Sequence, residues 1–192
     1  KLSEAEKIIL IDLLNSWGHA YYYLGEINEF VDLFSTHQIL VKSLDDKARA
    51  GMFYVWLGVA LFMAGKPKDS YEYLSKGLEL GENAGHPKVI GYACTWLTWA
   101  CAELGLFAEG LDFGERAQKI AESFPSDQYL FFKSLGGLCF INFFKGDAKT
   151  IFEGAKRLLE YGERTANNRS KVFGHWMEGF GHLAAGDMKS SQ

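Results

Sequence analysis

His175, Glu178 and His182 stand at spacing i, i+3, i+7, which puts two imidazoles and a carboxylate on one face of a helix. Such a set can ligate a metal ion, or the carboxylate can orient one histidine. A polar contact between neighbouring helices answers the same spacing and is the simpler reading. Cys94 and Cys101 also share a helix face, yet two thiols without further donors make a poor zinc site. With Cys139 they lie in apolar runs, where buried free thiols are the usual outcome. Gly58, Gly65 and Lys66 lack the spacing of a phosphate-binding loop, and Pro67 stands where a hydroxyl would reach magnesium. No dinucleotide fingerprint, His-Glu-x-x-His or Cys-x-x-Cys occurs. Glu82, Glu122 and Glu163 follow the small residues Gly81, Ala121 and Gly162 at a fixed interval. Catalytic carboxylates have no reason to recur in phase, so these read as solvated helix positions. No catalytic residue and no cofactor are expected, and the Asn168-Arg169-Ser170 acceptor pattern for glycosylation reads as accidental.

The elements that hold these residues repeat. Gly25, Gly65, Gly105, Gly146 and Gly186 are separated by 40, 40, 41 and 40 residues, a period that marks a stacked array of helical hairpins. Seven residues before each lies Gly18, Gly58, Thr98, Cys139 or Gly179, and eight before lie Trp17, Leu57, Leu97 and Leu138, with Glu178 the exception. Six after come Val31, Tyr71, Leu111 and Phe152, and fifteen after, Leu40, Leu80, Ile120 and Tyr161. The expected fold is all-α, a right-handed superhelix of about five hairpins: units near 3–44, 45–85, 86–125, 126–166 and a partial 167–192, forming a single domain.

Helix punctuation follows from local chemistry. Ser3 with Glu6 forms a capping-box pattern, Leu44-Asp45-Asp46 and Phe124-Pro125-Ser126-Asp127 offer caps for the third and seventh helices, and Asp147 is placed to cap the eighth. Pro67 and Pro87 suit first turns, where a missing N–H costs nothing. The ninth helix is expected from about Ser170 to Ala185, with Asp187 capping a truncated tenth. The start at Lys1 and the stop six residues past Gly186 read as an excised segment of a longer protein.

Composition bounds the function. The 192 residues are 48% hydrophobic and 15% aromatic, which supplies a core, and the formal net charge of -4 gives no basic footprint for nucleic acid or an anionic membrane. No 18-residue apolar run or signal-peptide pattern occurs. A cytoplasmic location is expected.

Trp56-Leu57-Gly58, then Leu61, then Gly65, resembles the first-helix signature of tetratricopeptide (TPR) repeats. The chain departs from that family in its period, 40 rather than about 34, in Ser70 and Gly110 where the second helix carries alanine, and in lacking the closing proline. More narrowly, residues 92–118, 125–140 and 174–187 resemble the C-terminal repeat region of bacterial adenylate/guanylate cyclases that carry an ATPase module. The likeness implies a regulatory or docking segment, with catalysis elsewhere.

The TPR resemblance also implies that first helices line a concave face, read three, six and thirteen residues before each turn glycine and at neighbouring positions. The expected binding groove is Tyr22, Tyr23, Phe62, Tyr92, Trp99, Glu103, Lys133, Phe140, Phe144, Trp176 and Phe180. Val55 and Val59 stand where a clamp for a terminal carboxylate needs polar side chains. Aromatic anchors suit an apolar helix or extended segment of a protein, a peptide or another domain of the same chain. Two alternatives stay open: the rings are core, or the groove senses a small ligand through His19, Glu103 and Lys133.

Overall fold

The structure is a computed structural model that describes residues 2–190. Among these, nine helices and no strand occur: α1 (Glu4–Leu24), α2 (Ile27–Lys42), α3 (Lys47–Met63), α4 (Pro67–Asn83), α5 (Pro87–Leu104), α6 (Phe107–Ser123), α7 (Gln128–Lys145), α8 (Ala148–Thr165) and α9 (Asn168–Ala184). No helix among the described residues is long and apolar enough to cross a membrane.

The caps fall where hydroxyl, carboxylate and amide side chains precede apolar runs. Ser3 Oγ accepts from Glu6 N while Glu6 Oε2 accepts from Ser3 N. Asp46, Asp127 and Asp147 accept from Arg49, Leu130 and Thr150 N–H groups in turn. Pro67 and Pro87 open α4 and α5. All five turn glycines adopt φ between 70° and 79°, a region that a Cβ disfavours. One boundary is corrected: α9 starts at Asn168, two residues before Ser170, because Asn167 Oδ1 accepts from Ser170 N at 3.1 Å. Asp187 Oδ1 accepts from Ser190 N at 3.2 Å, the geometry of a cap, and residues 188–190 form a turn; the rest of the expected tenth helix falls outside the described residues.

The chain forms two compact units, Lys1–Trp96 and Leu97–Gln192, with the division inside α5. In the first, α3 packs against α1, α2 and α4. It buries eleven of its 17 residues, whereas α4 buries five. α3 is therefore covered on most faces, and α4 on one. The rings of Phe30, Phe34 and Phe53 follow one another at centroid distances of 5.4 and 5.0 Å. Gly18 lies under the Trp56 indole, and a Cβ on Gly58 would sit 2.6 Å from Leu74 Cγ. Each large side chain so buried stabilises the fold by about 1.5–3 kcal/mol.

In the second unit α7 packs against α6, α8 and α9, and α8 against α9. Gly110, Gly114 and Gly154 receive Ile141, Leu138 and Cys139. Gln118 Nε2 donates to Ser134 Oγ (2.6 Å), and Ser170 Oγ donates to Leu158 O (2.7 Å). Cys94, Cys101 and Cys139 are buried thiols. Burial pushes the Cys101 and Cys139 thiols up to about 12, so neither is a thiolate at neutral pH. Gly81, Ala121 and Gly162 are buried while Glu82, Glu122 and Glu163 are exposed, as their phasing implies.

Candidate functional site

Within residues 97–192, six of the sequence-derived groove residues come together. Trp99, on α5, stacks on Phe140 of α7 at 4.7 Å and parallel to Trp176 of α9 at 6.1 Å. Phe140 touches Phe144 and Phe180, and Trp176 touches Phe180. The Trp99 indole N–H donates to Lys133 O at 3.1 Å. Lys133 Nζ lies 4.3 Å from the Trp99 ring centroid and 4.9 Å from that of Phe173, a cation–π arrangement. Burial lowers the Lys133 amine to about 7, because an ammonium loses hydration in that environment. Trp99 and Lys133 are buried, Phe140 and Phe180 are half-buried, and Phe144 (47%) and Trp176 (45%) present their rings to solvent. Glu103 is exposed near the end of α5, its carboxyl raised above the ordinary value by partial burial.

Within residues 1–96 the remaining groove residues form a second cluster. Tyr22 packs on Tyr23 (4.9 Å) and Trp96 (5.7 Å), and Phe62 on Trp96 (5.4 Å). Tyr92 is buried, and its hydroxyl is hydrogen-bonded to His19 Nε2 at 3.2 Å. Beside it opens a cleft of about 590 Å³ whose lining includes Asp12, Asn15, His19, Asp46, Arg49, Trp56, His86, Lys88 and Tyr92. Arg49 Nε donates to Asp12 Oδ1 (2.8 Å) and Nη1 to Asp46 Oδ2 (2.5 Å). Asn15 Nδ2 donates to Arg49 O at 3.2 Å, while its Oδ1 is buried without a hydrogen-bond partner. The cleft can therefore accept a hydrogen bond from a bound group and stack against it. Sequence reading missed Asp12, Asn15, Asp46 and Arg49 as site residues. Asp12 lies thirteen residues before Gly25, on the same row as Met52 and Tyr92, but a search weighted toward rings passes over it.

His175 Nδ1 and Glu178 Oε2 are 2.9 Å apart on the exposed surface of α9, whereas His182 Nδ1 turns to Asp187 Oδ2 at 3.5 Å. The three do not converge, and among the described residues no group of three or more His, Cys, Asp or Glu is arranged to hold a metal ion.

Neither protein-family profiles nor curated sequences yield a match to this chain. Solved structures do. Crystal structures of kinesin light chain nearly identical TPR-like repeats from Podosopora anserina align over 95% of this chain at 16% identity. One, a point variant, gives a TM-score of 0.68 over 89% of its own length, and another 0.64 over 90%. The fold is that of a TPR-like repeat solenoid. At this identity the likeness is one of fold; Trp56-Leu57-Gly58 and Leu61 lie in α3, and Gly65 in the turn after it. Gly58 does there what the signature asks of a small residue, admitting Leu74 from the second helix of the same hairpin.

Proposed function

We propose that this chain is a non-catalytic protein-interaction scaffold of the cytoplasm, and that it docks or regulates an ATPase or nucleotide cyclase module belonging to the same protein. The ligand of its ring-lined face is an apolar segment with aromatic or aliphatic anchors. The observation that carries this reading is the partial exposure of Phe144 and Trp176 at the rim of a cluster whose centre, Trp99, is buried. A rigid floor with solvent-facing rings at its edge is what an anchor residue docks against. The test is selection of peptides from a displayed library on the intact chain, followed by rebinding to Trp176→Ala. Selected peptides with spaced apolar anchors that lose affinity at least about tenfold on that variant support the reading. Peptides that bind both proteins equally refute it. Addition of the chain to an adenylate or guanylate cyclase module, with activity as the readout, tests the finer assignment.

A second reading, small-ligand sensing, is favoured by one feature of residues 1–96: the cleft beside His19 with the unsatisfied Asn15 acceptor. A metabolite that stabilises the chain in a thermal-shift screen, and ceases to do so in Asn15→Ala, supports this reading over peptide docking.

A further inference from the structure

Within residues 97–192 a cleft of about 310 Å³ opens between α6, α7 and α8. Leu111 of α6 and Leu135, Leu138 and Cys139 of α7 give it an apolar lining, and a hydrogen bond from Arg157 Nη2 to Gln118 Oε1 at 3.4 Å ties α8 to α6 across one end. That volume is at the lower limit for small-molecule pockets. A compact ligand suits it better than a long segment.

One polar side chain of the lining is out of keeping with the repeat. Four residues before their turn glycines α3 and α5 bury Leu61 and Cys101, whereas α7 places Asn142 there, only 5% exposed. Its Nδ2 donates to Leu138 O at 2.8 Å, and since only the amine end can donate to a carbonyl, that bond fixes which end of the amide is the oxygen. Among the described residues no donor reaches Asn142 Oδ1. A buried acceptor left unmet beside a cleft calls for a partner.

The rest of the lining is one-sided in the same sense. Its donors are engaged: Thr150 Oγ1 with Asp147 Oδ2 at 2.7 Å, Cys139 Sγ with Ile151 O at 3.9 Å, and Arg157 with Gln118. Its acceptors are not. The carboxylates of Glu115 and Glu153 are exposed at the rim. Among the described residues Glu115 has no ion pair, and Glu153 meets only Lys149, at 3.9 Å on the surface, a weak pair. The Gln118 that holds Arg157 also bonds Ser134, eight residues before Asn142 and so about 12 Å away along α7. The guanidinium thus lies at the far end of the cleft from the unmet acceptor. Unspent acceptors select a ligand rich in N–H groups, and an organic one, since among the described residues no acidic, histidine or cysteine cluster is arranged to hold a metal ion.

We propose that this cleft binds a small primary alkylamine in its ammonium form. The ammonium donates to Asn142 Oδ1 and to the Glu115 and Glu153 carboxylates, while the alkyl stem lies along Leu111, Leu135 and Leu138. The cleft shares no residue with the ring-lined face or with the cleft beside His19. It stands or falls apart from both.

The test is a titration of the full chain with n-pentylamine at pH 7, followed by the backbone amide shifts in nuclear magnetic resonance spectra. Saturable shifts should centre on Leu135, Leu138, Asn142 and Gly154. Asn142→Leu and Glu115→Gln should each weaken binding at least about fivefold, and 1-pentanol, which has the stem without the charge, should bind at least about tenfold more weakly. Trp176→Ala should leave the titration unchanged. Asn142→Leu puts at this offset the residue that α3 already buries there, so it should fold; Glu115→Gln, at an exposed position, carries the test if it does not. Shifts that fail to saturate or scatter over the chain overturn the proposal. So does 1-pentanol binding as well as the amine, or a dissociation constant indifferent to both variants. Tighter binding of Nα-acetyl-lysine methylamide than of n-pentylamine assigns the cleft to a lysine side chain of a protein and likewise overturns it.

Discussion

Six residues before the turn glycine, the first unit has His19 and the second has Trp99, and the two positions behave differently. His19 is half-buried, hydrogen-bonded to Tyr92 and set edge-on to Trp56 at 4.5 Å, next to a cleft with ion pairs. Trp99 is buried among the rings of Phe140, Phe173 and Trp176. One backbone register thus carries a half-buried histidine beside a polar cleft in residues 1–96 and a buried indole among rings in 97–192. The contrast teaches that the repeat specifies where a side chain points but leaves its chemistry free.

Energetics should separate the two positions most clearly. Trp99→Ala is expected to cost about 3–5 kcal/mol in urea unfolding, since it opens a cavity and removes the indole N–H bond to the Lys133 carbonyl. His19→Ala, at the same offset, should cost about 1 kcal/mol. Equal costs would erase the contrast.

Lys133 supplies the next effect. Its amine is lowered from 10.5 to about 7 in the fold, so between those values the unfolded chain binds more protons and stability rises with pH. From pH 7 to 8.5 the gain is on the order of 1–2 kcal/mol. Lys133→Met should remove this slope and be the more stable protein at pH 7, as read from paired urea curves. A variant that keeps the slope would mean that another group produces it.

On the polar side, Asp46→Ala should cost about 1 kcal/mol through loss of the α3 cap, and Asp46→Asn should restore most of it. The Arg49 backbone N–H holds the Asp46 carboxyl below its ordinary 3.8. Its contribution is therefore present at neutral pH and is lost as the pH falls below that value. Arg49→Ala should cost less than about 1 kcal/mol and fade in salt; insensitivity to salt would show that packing of the Arg49 stem dominates.

The smallest effect belongs to His175→Gln, within about 0.5 kcal/mol and the same with or without added zinc, because His175 and Glu178 meet only at the surface. A zinc-dependent rise in melting temperature would restore the metal reading.

Much of this was legible before any coordinates. The turn glycines, the proline starts and the carboxylate caps depend on a few neighbouring residues, so their chemistry is written locally. The start of α9 was missed because Asn167 competes with Ser170 as a cap, and only the hydrogen-bond geometry selects one. The groove residues were legible as a register, but their division into two clusters was not. The cleft was not legible either, since Arg49 reaches Asp12 across 37 positions of sequence.

By itself the sequence determined the period, the helices and which residues share a face, because backbone dihedral preference and a 3.6-residue repeat act over one or two turns. Only the tertiary structure decided that Lys133 is buried, that Asn15 keeps an unmet acceptor and that Arg49 reaches both Asp12 and Asp46. Burial depends on which other helices arrive, and no single helix encodes its neighbours.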